Sequence, residues 1–147
     1  MERLRILNTR EIKDIDKKLS EQWGCSKRFD YVFLVSKDDN IFITNRDFGK
    51  IDTKILRINS VGLYFGELKN ERLRLSIEGS QIVGPCAKKN VIELDDAQSM
   101  EWLKGNDVDK ECEDCLAIIK TKFGFAGCGQ AKQGKILNFV PKTRRIK

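Results

Sequence analysis

The chain has 147 residues, of which 40% are apolar and 34% are charged, and its formal net charge is +6. This length can bury a sizeable core, and we expect two small domains that share an interface. No apolar run approaches the about 18 residues of a membrane span, and residues 1–7 lack the apolar core of a signal peptide, so we expect a cytoplasmic protein that is neither exported nor membrane-bound.

The first half predicts a helix packed on an antiparallel sheet. Asn8 and Glu11 have the spacing of a capping box, and apolar residues then recur at helical spacing over residues 9–23. Strand-forming residues dominate 31–35 and 41–44, with turn residues between them, which predicts a hairpin. The further strands predicted in this half are 56–58, 61–68 and 73–77.

A second packing unit is predicted to begin at Gly84-Pro85, a turn signal, which divides the chain into domains 1–84 and 85–147. A strand at 91–94 precedes a helix that Asp95 or Asp96 caps and that ends near Gly105. Only strands are expected after this helix, at 116–120, 123–131 and 135–140. The whole is an α+β fold, with the helix-on-sheet domain followed by a small β-barrel.

The charges of the second half are segregated along the chain. Residues 91–114 carry most of its acidic side chains, whereas residues 115–147 contain no Asp or Glu and eight Lys or Arg. A basic stretch interleaved with phenylalanines is typical of nucleic-acid binding, because clustered cations displace counterions from phosphates. The candidate phosphate contacts are Lys88, Lys89, Lys122, Lys132, Lys135, Arg144 and Arg145. Two alternatives remain: the cations only keep the protein soluble, or they dock on an acidic protein partner.

Two further motifs have the residue spacing of a phosphate-binding loop and of a zinc site. Residues 129–135 have the spacing of a phosphate-binding loop, but Ile136 stands where Ser or Thr would bind magnesium, and the segment reads as a strand. Cys112 and Cys115 have zinc-knuckle spacing without a second pair, and the chain has no histidine. We therefore expect no catalytic residues, no metal and no cofactor, and the five irregularly spaced cysteines favour reduced thiols.

Phe123 and Phe125 follow a basic residue, as in the aromatic strand of an RNA-recognition sheet. Their spacing places both on one face of a strand. Such pairs are more often core residues than platforms for stacked bases, and both roles stay open at this point.

Several motifs together resemble a known family. The segment 97–108, the glycine-containing strand at 127–132 and the pair Lys88 and Val91 resemble a PUA domain. Gly62, Phe65-Gly66, Lys69 and Leu73-Arg74-Leu75 are similar to the domain that precedes PUA in ribosome-biogenesis factors of the Nip-seven type.

This resemblance implies an RNA-binding protein, with rRNA or tRNA as its partner, that works without catalysis beside ribosome-assembly or RNA-modification proteins. Similar domain pairs are attached to Sun-type RNA cytosine methyltransferases, whose ending the basic segment 139–145 also resembles. This chain has no room for their catalytic domain, so we expect no enzyme.

Overall fold

A computed structural model describes residues 4–45 and 62–146, and the strand predicted at 56–58 lies outside these ranges. The described residues form two five-stranded sheets with helices packed against them. The predicted α+β class is therefore confirmed. None of the helices in the described ranges is long and apolar enough to cross a membrane.

The first sheet has the strand order β1-β2-β3-β4-β5, and every neighbouring pair is antiparallel. Its elements in chain order are β1 (Arg5–Ile6), helix α1 (Thr9–Trp23), β2 (Val32–Val35), β3 (Asn40–Thr44), β4 (Leu63–Lys69) and β5 (Arg72–Leu75). The predicted helix and hairpin are both present, and β1 is a strand that the sequence pattern did not predict.

Helix α1 begins and ends where its sequence signals predict. The Asn8 side chain accepts a hydrogen bond from the Glu11 amide, and the Glu11 carboxylate accepts one from the Asn8 amide, which satisfies two otherwise unpaired donors. Gly24 ends the helix in the left-handed conformation, with φ of 66°. The buried face consists of Ile15, Leu19 and Trp23. This face packs α1 onto the sheet.

A short helix that the sequence analysis missed connects the two sheets. Ser76 caps α2 (Ile77–Val83) by accepting a hydrogen bond from the Gly79 amide, and a 3-10 turn (Gly84–Cys86) follows. The strand predicted at 73–77 therefore stops at Leu75. The helix has two turns and a glycine in the first of them, too short for a 3.6-residue periodicity to be recognised.

The second sheet has the order β6-β8-β9-β10-β7 and curls around its own core as a half-barrel, the predicted PUA-like architecture. Strand β6 pairs with β8 in parallel, and the other pairs are antiparallel. The elements are β6 (Val91–Glu93), α3 (Asp96–Leu103), β7 (Val108–Asp109), β8 (Cys115–Thr121), β9 (Gly124–Lys132), β10 (Lys135–Asn138) and a 3-10 turn (Lys142–Arg144). Asp95 is the residue that caps α3. Strand β7 and the final 3-10 turn were not predicted.

Strand β8 contributes to two hydrophobic cores at once. Leu116 and Ile118 belong to the core under α1, while Ala117 and Ile119 belong to the core around Trp102. Side chains of a strand alternate between faces, so β8 is covered on both sides. This double burial explains why its residues are apolar without alternation.

The two sheets are joined by buried polar contacts as well as by packing. The indole Nε1 of Trp23 donates to the Leu116 carbonyl at 3.1 Å, and the Asn90 side chain donates to the Gln22 carbonyl at 2.6 Å. The Gly127 amide donates to the Ser80 hydroxyl at 2.8 Å. The division at residue 84 stays a prediction, because the core under α1 draws residues from both sides of it.

The cysteines differ from the expectation of reduced thiols. Cys25, directly after α1, is disulfide-bonded to Cys86 in the 3-10 turn after α2. The packing of α1 against this turn brings together two residues that lie 61 positions apart. Sequence spacing does not contain that information. The other three cysteines, Cys112, Cys115 and Cys128, are free.

We predict that the three free thiols differ in reactivity. Burial raises the pKa of the Cys128 thiol to about 12, and burial raises the pKa of Cys112 and Cys115 with help from nearby carboxylates such as Asp114. Because the thiolate is the reactive species, a charged alkylating reagent should label Cys112 and Cys115 slowly and leave Cys128 unlabelled until denaturation. Mass spectrometry of peptides from native, denatured and reduced protein measures this order. Rapid native labelling of Cys128 would contradict the buried position.

Candidate nucleic-acid interface

Two of the predicted phosphate contacts, Lys132 and Lys135, face each other across the tight turn that joins β9 to β10. Directly opposed residues of antiparallel strands share a face of the sheet, so the two lysines are neighbours on one face. Both residues are exposed. Gln133 and Gly134 form the turn between them, with φ of 52° and 76°. The loop-like spacing at 129–135 is therefore a hairpin and not a phosphate-binding loop.

Lys122 lies at the other end of the same sheet. It occupies the turn between β8 and β9, and nine residues of β9 separate the two ends, which is about 25–30 Å. Its ammonium group is 3.6 Å from the Asp96 carboxylate and 5.1 Å from the ring centre of Phe123. Lys122 therefore lies apart from the pair Lys132 and Lys135, and its role in RNA binding stays a prediction.

The two neighbouring phenylalanines have different environments. Phe123 is 69% exposed at the tip of the turn, so it is not a core residue. Phe125 is half-buried and its ring fills the space beside Gly84, where an added Cβ would lie 2.4 Å from the ring. The interpretation of the pair as core residues is correct only for Phe125.

Lys88 and Lys89 lie beside the C-terminal end of α1. Their backbone amides donate to the Trp23 carbonyl at 2.7 and 3.2 Å, and both residues are exposed. The amides satisfy a helix-terminal carbonyl, and the positive side chains are favourable at this end of the helix dipole. Their role in RNA binding stays a prediction.

The two arginines near the C-terminus are engaged by protein groups. Arg144 pairs with the Glu78 carboxylate at 2.5 Å. Arg145 donates from Nε to the Val140 carbonyl at 3.0 Å and lies on Gly105, where an added Cβ would be 2.2 Å from that nitrogen. These contacts give both side chains a part in holding the C-terminal segment, and their role in RNA binding stays a prediction.

The fold brings three further cations beside the β9–β10 hairpin that were not predicted as phosphate contacts. Lys69 and Arg72 face each other across the turn between β4 and β5, and Arg74 follows on β5. The Arg72 guanidinium donates to the Gln130 side chain of β9 at 3.0 Å, and the Arg74 guanidinium lies 3.5 Å from the Phe139 ring centre. These contacts place the β4–β5 hairpin against β9 and the segment that follows β10.

On the face of β9 and β10 that meets the first sheet, the row of side chains ends at Lys132 and Lys135. Gln130 and Leu137 are paired in the register next to Lys132 and Lys135, and side chains two apart on a strand share a face. The cations of both hairpins therefore form one surface at the junction of the two sheets. We call it the junction cationic surface, and its members are Lys69, Arg72, Arg74, Lys132 and Lys135.

Most of the positive charge on the junction cationic surface is not neutralised. Arg74 pairs with Glu67 at 2.8 Å, whereas no carboxylate of the described residues lies within ion-pair distance of the other four members. Three acidic residues lie beside these members along the strands and turns: Glu71 in the turn between Lys69 and Arg72, Asp109 opposite Lys135, and Asp114, whose carboxylate accepts the Gln133 amide at 2.9 Å. Four exposed cations remain available to a polyanion.

Cys112 and Cys115 carry no sign of metal chemistry in their surroundings. Within the part of the chain that the structure describes, no three His, Cys, Asp or Glu side chains are grouped to hold a metal ion.

Both halves of the chain match known domains. Residues 4–77 match the NIP7/UPF0113 pre-PUA domain, and residues 89–146 match the PUA domain of methyltransferase RsmF. A pre-PUA domain followed by a PUA domain defines a class of RNA-binding proteins. The chain belongs to the NIP7/UPF0113 pre-PUA family.

A curated relative resembles the chain over both domains. The ribosomal RNA small subunit methyltransferase F of Aeromonas salmonicida (strain A449) is 27% identical over 111 residues, which are 74% of this chain. The aligned part is 23% of that protein's length.

Proposed function

We propose that this chain is a non-catalytic RNA-binding protein of the cytoplasm that acts in ribosome assembly or as an accessory to RNA modification. Its target is ribosomal RNA, with tRNA as the alternative. The observation that carries the proposal is the junction cationic surface, where both domains contribute cations that lack carboxylate partners. When two linked domains each contact a phosphate, their combined affinity for the nucleic acid is higher than the affinity of either domain alone.

The family and the relative support the choice of RNA. A pre-PUA and a PUA domain occur together here, and the relative named above is by its name a ribosomal RNA methyltransferase. The described residues contain no histidine, and their free thiols have raised pKa values, so they do not offer the usual general base or nucleophile. Binding is therefore the function that these residues support best.

We predict that RNA affinity falls steeply as the salt concentration rises. The logarithm of the association constant should fall by about 0.7 per phosphate contact for each tenfold increase in salt with single strands, and by about 0.9 with duplexes. Fluorescence anisotropy of labelled RNA at several salt concentrations measures the slope. Binding that is independent of salt would reject phosphate contacts as the mechanism.

The competing function is an adaptor that docks its cations on an acidic protein. In that case the same titration would show only weak RNA affinity, and one acidic protein would be retained tightly from a ribosome-containing fraction. Weak RNA binding at low salt would therefore overturn the proposed function.

A further inference from the structure

A groove opens between the β4–β5 hairpin and the second sheet. Its volume is about 250 Å³, and both domains line it. Lys69, Arg72 and Arg74 come from the first domain, and Gln130, Leu137 and Phe139 come from the second. Pockets for drug-sized ligands have about 300–1,000 Å³, so this groove suits something the size of one nucleobase.

The wall of the groove from the second domain contains two partly exposed apolar side chains beside Gln130. Leu137 is 38% exposed although it is a large aliphatic residue, and Phe139 beside it is half-buried. The Arg74 guanidinium covers one face of the Phe139 ring at 3.5 Å from its centre. Unpaired bases stack on aromatic rings and on arginine planes, and the groove offers both, Phe139 from the second domain and Arg74 from the first.

The rim of the groove is positively charged and has no acidic member. Lys69 and Arg72, which we call its rim, line the groove from the β4–β5 turn, and no Asp or Glu is among the lining residues. The Arg72 guanidinium is oriented by its hydrogen bond to the neutral Gln130 side chain, which leaves its charge uncompensated. Glu67 forms an ion pair with Arg74, but Glu67 is not one of the residues that line the groove. An anion is therefore favoured at the rim and an apolar ring at the wall.

We propose that this groove binds one unpaired nucleotide of single-stranded RNA, with its base against Leu137, Phe139 and Arg74 and its phosphates on Lys69 and Arg72. This proposal rests on the RNA-binding function proposed above, and it specifies the site at which one base is bound. A base in a duplex is stacked and paired, so it cannot enter a groove of this size. The site exists only while the two domains are packed together, because each supplies one wall.

The test separates contact with the base from contact with phosphate. In the variant Leu137→Ala the apolar wall is lost and no charge changes, so affinity for a single-stranded RNA of mixed sequence should fall about fivefold while the salt slope is unchanged. In Arg72→Gln the salt slope should fall by about 0.7, both with that RNA and with inorganic polyphosphate, which carries no bases. Anisotropy measures direct RNA binding, and competition with labelled RNA measures polyphosphate binding.

Leu63→Ala is the matched control, because Leu63 is 43% exposed on the first sheet and does not line the groove. Equal RNA affinity for Leu137→Ala and Leu63→Ala would overturn the base-binding groove, and a lowered slope in Arg72→Gln would then leave the proposed function intact. Loss of polyphosphate binding in Leu137→Ala would also overturn it, since that ligand has no base. Absence of RNA binding by the unmodified chain would overturn both proposals.

Discussion

Replacing Trp23 with alanine should lower the free energy of unfolding by about 3–5 kcal/mol, which is a large part of the about 5–15 kcal/mol that holds an ordinary domain folded. The side chain is fully buried in the core under α1. Its removal leaves a cavity between helix α1 and strand β8, and the Leu116 carbonyl loses its indole donor. Urea denaturation followed by circular dichroism measures the change.

Two further variants show how much of this loss comes from the junction between the domains. Trp23→Phe keeps an aromatic ring and removes the N–H donor, so this variant should lower the free energy of unfolding by only about 1–3 kcal/mol. Trp102→Ala removes an equally buried indole whose partner, the Ala126 carbonyl, belongs to the same domain. With Trp23 replaced, fluorescence reports Trp102 alone, because the chain has two tryptophans. A loss below about 1 kcal/mol for Trp23→Ala would contradict a core shared by both domains.

Reversing both charges of the β9–β10 turn, Lys132→Glu with Lys135→Glu, should weaken RNA binding on the order of a hundredfold, because each charge-assisted contact contributes at least about 1.5 kcal/mol. The two side chains are exposed and adjacent, and their carboxylate replacements would repel the same phosphates. The salt slope should fall as well, by about 1.4 for single-stranded RNA. The measurement is anisotropy with labelled RNA at several salt concentrations.

A double reversal on helix α1, Lys13→Glu with Lys17→Glu, makes the same change in net charge at two exposed lysines that are not members of the junction cationic surface. It should leave the salt slope within error of the unmodified chain, because neither lysine is a proposed phosphate contact. Equal losses in the two double variants would show that net charge and not this surface attracts RNA. Intact affinity after reversal of Lys132 and Lys135 would remove both lysines from the site.

Local signals in the sequence were sufficient to predict the longer helices and strands. The Asn8 and Glu11 capping box and the Gly24 terminus are contacts between residues a few positions apart, so their spacing predicts the helix directly. The same holds for Asp95 and α3. Short elements such as β1, α2 and β7 escaped prediction, because two to seven residues show no period and depend on partners elsewhere in the chain.

In the candidate site, too, some residues could be predicted from the sequence and others could not. Lys132 and Lys135 stood out because no acidic residue follows position 114. Arg72 and Arg74 did not, because Glu67 and Glu71 surround them in sequence and hide their charge in a mixed segment. In the fold, Glu67 pairs with Arg74, while Arg72 faces Gln130, a residue 58 positions away. A charge balance along the chain cannot show which charges remain unpaired in space.

By itself the sequence determined the kind of fold, the ends of its main helices and a cationic second half, since these follow from capping, periodicity and composition over short distances. Tertiary structure alone decided which cations meet, that Cys25 reaches Cys86, that Phe123 is exposed, and that a groove lined by both cationic and apolar side chains opens between the domains. The physical reason is that these features are contacts between surfaces of different elements. Their energies depend on packing and solvent exclusion, which exist only once the two sheets are in place.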